Sequence, residues 1–267
     1  MKKEILNELR ELIPQIKEYY EKFGDTDIRA SFLDGYFQIL RTYFCSYYHL
    51  ESDDILAKYR EIYPDKDFSH NSIKWHCQGH KNLLNSYLIL NSWSNFELCI
   101  TLMANAILDE NTKARLLSIE YRRIRKCLRD ILTRIEISDS VINKLKKFNK
   151  FHLAHVPMVN KYGNLFKLLI RYPNDRDKKN DGKFLEFYGR LRNCVHSNYI
   201  YYGRNLFKYT FREVNFRFTH GELVHQEPIT ENVIFLMSIK LKRIFMAIAE
   251  NIDYFEEIPD PSHRLIS

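Results

Sequence analysis

Apolar residues recur along most of this chain at the three-to-four-residue spacing that lines one side of an α-helix. Ile5, Leu9, Leu12, Ile13, Ile16, Tyr19, Tyr20 and Phe23 form the first such stripe, with Gly24 placed to stop it and Pro14 placed to kink it or to begin a second helix. A helix rich in Phe and Tyr is predicted over about 28–50, and Ser52, Asp53 and Asp54 cap a short one ending near Tyr63 and Pro64. The most apolar helix is predicted over 83–108, a helix with a basic outer side over 112–135, and a shorter one from Ser138 to about Phe151. A connector over 152–161 leads to a short apolar helix at 165–172. The polar string PNDRDKKNDGK, 173–183, then reads as a flexible loop. Phe184, Tyr188, Leu191 and Val195 restore the helical period immediately after it.

Beyond Gly203 the period changes from about 3.6 to 2. Phe207, Tyr209 and Phe211 alternate with polar residues, and Val214, Phe216 and Phe218 alternate in the opposite phase, so Arg212 and Glu213 mark a bulge or tight bend. His220 and Gly221 then turn the chain, and a β-hairpin over about 207–226 is expected. Thr230 can cap a last helix whose inner face is Val233, Leu236, Met237, Leu241, Ile244, Phe245 and Ile248. The expected fold class is therefore all-α, mainly a helical bundle, with one small β-hairpin before the final helix. Residues 1–80 read as an N-terminal helical appendage, 81–254 as the bundle and 255–267 as a tail. No internal repeat is found.

Composition narrows the class. The chain has 267 residues, enough for a sizeable core, with only 8 Gly and 7 Pro, so collagen-like, low-complexity and disordered classes do not fit. Five cysteines, odd in number and widely spaced in apolar patterns, point to reduced core thiols. The first fifteen residues alternate charge with apolar positions and do not resemble a signal peptide. No apolar run approaches the ~20 residues that span a bilayer. A cytoplasmic protein with no membrane partner is expected.

The net charge of +7 is unevenly spread: from 112 to 150 there are twelve Lys/Arg against four Asp/Glu, a local excess larger than that of the whole chain. Arg122, Arg123, Arg125, Lys126 and Arg129 form its densest part. Such a region attracts phosphate backbones, and equally serves as a solvated helix face.

The candidate chemistry lies in FLEFYGRLRNCVHSNYIYYG, 184–203. Arg192 and His196 are four residues apart, which on a helix sets a permanent cation beside a titratable imidazole; Asn193 and Ser197 form a second such pair. Glu97, in the Trp93-Ser94-Asn95-Phe96-Glu97 segment of the apolar helix, is either solvated or a partly buried acid partnered by Arg192. Cys77 and His80 have the best metal spacing. Zinc would need two further ligands, and only His152 and His155 remain to supply them, so no metal centre and no cofactor are expected. There is no Gly-rich phosphate loop and no nucleophile elbow.

The string Arg192-Asn193-Cys194-Val195-His196-Ser197-Asn198 resembles the signature of HEPN domains (higher eukaryotes and prokaryotes nucleotide-binding), an arginine, four to six residues, then a histidine, often with asparagine straight after the arginine. Trp93-x-x-Phe96-Glu97 in the first long core helix is similar to HEPN-related sequences too. Here the motif is one residue out of register. Three residues separate Arg192 from His196, the family's histidine position falls on Ser197, and Arg190 stands at the family's distance from His196. The resemblance covers roughly 83–251. It implies a metal-independent endoribonuclease that cleaves by attack of the RNA's own 2′-hydroxyl on the adjacent phosphate. His196 would be the acid/base and Arg192 the phosphate clamp, with Arg190 as its substitute. Asn193 and Ser197 would orient the phosphate or cap the helix, and Glu97 would hold Arg192. It also implies a homodimer, toxin or phage-defence roles and an antitoxin or defence-system partner. Two alternatives stay open: a HEPN-like module that binds RNA or protein without cutting, and a toxin of the Arg-x4-His-x-Tyr form, in which Tyr199 would be modified by a partner nucleotidyltransferase.

Overall fold

The computed structural model describes residues 2–50, 61, 70–118, 156–226 and 231–262, with the side chains of 49–50, 70–78 and 225–226 excepted. Helix α1 (Lys2–Phe23) is continuous through Pro14, because its interior apolar positions Ile5, Leu12 and Tyr19 are all buried and hold both halves to one core. Gly24 ends it at φ +94°, donating its N–H to the Tyr20 carbonyl, a left-handed position that only glycine adopts at no cost. Helix α2 (Ile28–Leu50) has the predicted bounds. Helix α3 (His70–Ile107) starts thirteen residues before the apolar run at 83, so the stretch with the Cys77/His80 spacing is helical. A shorter helical stretch at 110–118 follows.

Helix α4 (Met158–Leu168) begins and ends earlier than its apolar pattern suggests. Helix α5 (Lys178–His196) takes in the second half of the string expected to be a loop. The cause is local: the Asp177 carboxylate accepts a hydrogen bond from the Lys179 N–H and caps the first turn. Asp181, one turn further, is buried and accepts from Tyr172 Oη (2.5 Å) and from Arg176 Nε (2.9 Å) and Nη2 (2.7 Å).

Strands β1 (Phe207–Phe211) and β2 (Val214–Phe218) pair antiparallel, Phe207 opposite Phe218 and Phe211 opposite Val214. Arg212 and Glu213 form the two-residue turn between them, both at positive φ (47° and 70°). A two-residue turn of this sign matches the right-handed strand twist, which accounts for the reversed phase of alternation. Strand β3 (His225–Gln226) adds to β2, so the hairpin expected at 207–226 is a small three-stranded sheet in the order β1-β2-β3. Helix α6 (Glu231–Asn251) closes the fold. The caps expected at Ser52, Asp53, Asp54 and Thr230 and the helix expected at 138–151 lie outside the described residues.

The division into a 1–80 appendage and an 81–254 bundle does not describe the packing. Phe32 on α2 stacks on Phe245 of α6 at 3.7 Å, and Phe96 of α3 meets the same ring edge-on at 6.4 Å. Tyr36 Oη lies 3.1 Å from Ser238 Oγ, Tyr19 Oη donates to Glu250 Oε1, and Lys242 pairs with Glu8 at 2.5 Å inside the α1–α6 contact. One apolar cluster runs from Ile5 to Ile258. Residues 255–262 are not a loose tail either: the Ile28 N–H donates to the Ile258 carbonyl, and the Asp260 N–H donates to the Thr26 carbonyl. Among the cysteines, Cys99 and Cys194 are buried as expected. Cys45 is exposed and so is not a core thiol; the side chain of Cys77 and the whole of Cys127 fall outside what is described.

Candidate functional site

The site is built where α5 crosses α3. Trp93 stacks on Tyr188 at 5.7 Å and 13° between planes, and Gly189 lets the backbone of α5 lie against the same indole, since a Cβ there would sit 3.1 Å from Trp93 Cη2. One turn C-terminal on each helix, Glu97 Oε2 stands 3.7 Å from Arg192 Nη2. Glu97 is therefore a partner of the Arg/His helix rather than a solvated acid.

Arg192 also donates from Nη1 to Asn193 Oδ1 at 3.1 Å, and its buried Nε has no hydrogen-bond partner among the described residues. With 27 % of the side chain exposed, one carboxylate oxygen and one amide do not use up the five donors of the guanidinium. The open edge can take a planar oxyanion.

A second cation, absent from the sequence reading, lies near enough to feel the charge of Glu97. Lys161 on α4 is 1 % exposed and donates to Thr101 Oγ1 at 2.9 Å, while Thr101 Oγ1 donates to the Glu97 carbonyl at 2.6 Å. Burial pushes the Lys161 ammonium down from its ordinary value, and the Glu97 carboxylate works in the opposite direction. The signal was available: Met158, Lys161, Tyr162, Leu165 and Phe166 share a helical stripe, and a lysine on it needs a buried partner.

Arg190 has a different role. Its Nε and Nη2 bond Glu186 Oε1 at 3.2 and 2.6 Å, Nη1 donates to Tyr201 Oη, and the guanidinium lies 4.5 Å over Phe207. It fastens the base of β1 to α5. Because α5 stays helical through His196, Arg190 and His196 are held about 120° apart around the helix axis and do not share a face.

His196 is the last residue of α5 and is exposed; among the described residues nothing hydrogen-bonds its imidazole. Ser197 is the C-cap, and the Tyr199 N–H reaches back to the Cys194 carbonyl at 2.6 Å with Asn198 at φ 52°. Asparagine tolerates this left-handed position better than most residues, so the end of the helix is encoded in Ser197-Asn198. Tyr199 itself is half-buried, its hydroxyl 2.6 Å from Ser86 Oγ of α3. Backbone pairing of Tyr199 with Val224 and of Tyr201 with Gly221 and Glu222 then ties this end of α5 to the turn before β3.

The structure thus brings Glu97, Arg192 and Asn193 together, places His196 one turn along the same side, and assigns Arg190 to the hairpin. Arg122, Arg123, Arg125, Lys126 and Arg129, and likewise His152 and His155, lie outside the described residues. Among those described, no helix is long and apolar enough to cross a membrane. No protein-family model, no curated protein and no solved structure matches this chain.

Proposed function

We propose that this chain is a metal-independent endoribonuclease of the HEPN type, with Arg192 and His196 as its working pair. The observation that carries the reading is the Glu97–Arg192 pair at 3.7 Å, which fixes an incompletely satisfied guanidinium one helical turn from an exposed imidazole. In-line attack of a ribose 2′-oxygen forms a new O–P bond and breaks the bond to the 5′-oxygen, leaving a 2′,3′-cyclic phosphate and a 5′-hydroxyl. His196 takes the 2′-hydroxyl proton, and a proton returns to the departing oxygen. Arg192 meets the charge that develops on the phosphorane oxygens, which its planar fork suits better than a lysine would. Glu97 holds the guanidinium by its inner edge, and Asn193 fixes it laterally. Ser197 and Tyr199 have structural duties at the end of α5. Two copies meeting at this helix end, as the HEPN resemblance implies, would place two such pairs side by side.

The test is cleavage of a mixed RNA pool in EDTA by the wild type and by Arg192→Ala, His196→Ala and Arg190→Ala. Loss of activity in the first two, by about 10²–10⁴-fold for the imidazole, is expected. A second reading, RNA binding without cleavage, has one observation in its favour: nothing orients the His196 ring. It would be preferred if wild type and variants are equally inert yet bind RNA.

A further inference from the structure

We infer that the outer face of the three-stranded sheet is a second contact for RNA, separate from the Arg192/His196 end of α5; this rests on the reading of the chain as an RNA-binding protein. Inward-pointing Phe207, Tyr209, Phe211, Phe216 and Phe218 bury one side of the hairpin on α5, with Phe187 stacked on Tyr209 at 4.4 Å. By strand alternation the other side carries Lys208, Thr210, Asn215 and Arg217. Lys208 and Arg217 are directly opposite each other in the register, both exposed.

Like charges facing across a strand pair destabilise a sheet. Nothing local relieves this one, for among the described residues neither side chain forms an ion pair or hydrogen bond. Beside them Thr210 Oγ1 donates to Asn215 Oδ1 at 2.8 Å, an uncharged polar pair rather than an acid. Arg204 and Arg212 extend the positive charge beyond both ends of β1, while the acids among the described residues 204–226, Glu213 and Glu222, sit in its turns. Among the described residues this cross-strand cation pair has hydrogen-bonding neighbours and no carboxylate on its face, which makes it complementary to a phosphodiester backbone. The sheet packs against the Phe184/Phe187/Arg190 side of α5, away from Arg192, so a strand reaching both surfaces has to pass around the helix.

The test is the salt dependence of binding of a single-stranded RNA by the full chain carrying His196→Ala, with and without Lys208→Gln/Arg217→Gln. Two lost phosphate contacts, at about 0.7 each for single strands, should lower the slope of log K against log salt by about 1.4. Because the double variant also removes the cross-strand repulsion, its thermal midpoint should be equal to or above that of its parent, so a loss of binding with an unchanged fold supports the proposal. An unchanged slope in a variant that still binds overturns it, as does failure of the parent to bind RNA at all. A weaker slope accompanied by tight, Lys208/Arg217-dependent binding of polyglutamate overturns the RNA assignment in favour of an acidic protein. Cleavage by the chain with native His196 is read separately: its absence removes the nuclease reading and leaves this surface standing if the slope changes.

Discussion

Arg190 and Arg192, two residues apart, leave α5 about 160° from each other and enter different structures: Arg190 covers Phe207 and bonds Tyr201, whereas Arg192 faces Glu97 across the α3–α5 contact. The same residue type therefore divides into a fastener and a clamp. Arg190→Ala is expected to cost about 1–2 kcal/mol, from a cation–π contact and its hydrogen bonds, while the folded fraction keeps its RNA cleavage. Arg192→Ala is expected to leave stability within about 1 kcal/mol and abolish cleavage, since its ion pair is partly exposed. Urea titrations alongside an EDTA-resistant cleavage assay separate the two; equal effects of both variants on both readouts would contradict the division.

Gly189 is where α5 comes closest to α3. An alanine there gains about 1 kcal/mol of helix propensity but requires the Trp93 ring, 3.1 Å from the new Cβ, to yield a few tenths of an ångström. Valine adds two further carbons against the indole. Gly189→Val is expected to lose about 1–3 kcal/mol, to alter near-ultraviolet dichroism and to reduce cleavage by separating Glu97 from Arg192. A valine variant with native stability and an unchanged spectrum would mean that the helix contact is looser than described.

What the sequence reveals and what it hides follow from the same physics. The bounds of α2, the stop of α1 at Gly24 and the opposed phases of β1 and β2 were legible because each is a local rule, a period or a backbone preference. The start of α5 was hidden because a string of charged residues resembles a loop until Asp177 is recognised as its cap. An apolar stripe says that a face is buried but not against what, so α1 and α2 read as an appendage although Phe32 meets Phe245. At the site, spacing alone put Arg192 beside His196. The choice between a solvated and a paired Glu97, and the burial of Lys161 against Thr101 beside it, depended on how three helices cross.

Cys194, one residue from the middle of the motif, is held apart from chemistry by burial, which pushes its thiol up to about 11, with Arg190 acting weakly in the other direction. Cys45 on α2 is exposed. At pH 8 native protein should lose Cys45 to a thiol reagent within minutes, while Cys194 reacts only on unfolding. The sign of the linkage follows: a raised folded value means that this group's contribution to stability is complete below the ordinary thiol value of roughly 8.5 and is lost as pH rises toward about 11. Cys194→Ala should flatten that part of the stability profile. Rapid labelling of Cys194 at pH 8 without unfolding would show that the end of α5 opens.

The last prediction concerns a buried ion pair that joins the two ends of the described chain. Arg29, 2 % exposed, donates from Nε and Nη2 to the fully buried Asp27 carboxylate at 2.9 and 2.7 Å. It also donates to the Tyr254 and Glu256 carbonyls at 2.8 Å and lies 4.2 Å over Phe23. Asp27 further accepts from the Ile258 N–H at 2.8 Å. Every polar atom of the pair thus has a partner, which is the condition for two charges to be tolerated in a core. Truncating the arginine leaves Asp27 charged, buried and short of donors, and leaves two carbonyls without theirs. Arg29→Ala is therefore expected to cost about 3–5 kcal/mol. The Asp27→Asn/Arg29→Met pair keeps the volume and removes both charges, so it should cost less than the sum of its single variants. In a double-mutant cycle by urea denaturation, a coupling of at least about 1 kcal/mol is expected; single effects that simply add would mean that Arg29 acts through the backbone carbonyls and Phe23, not through Asp27.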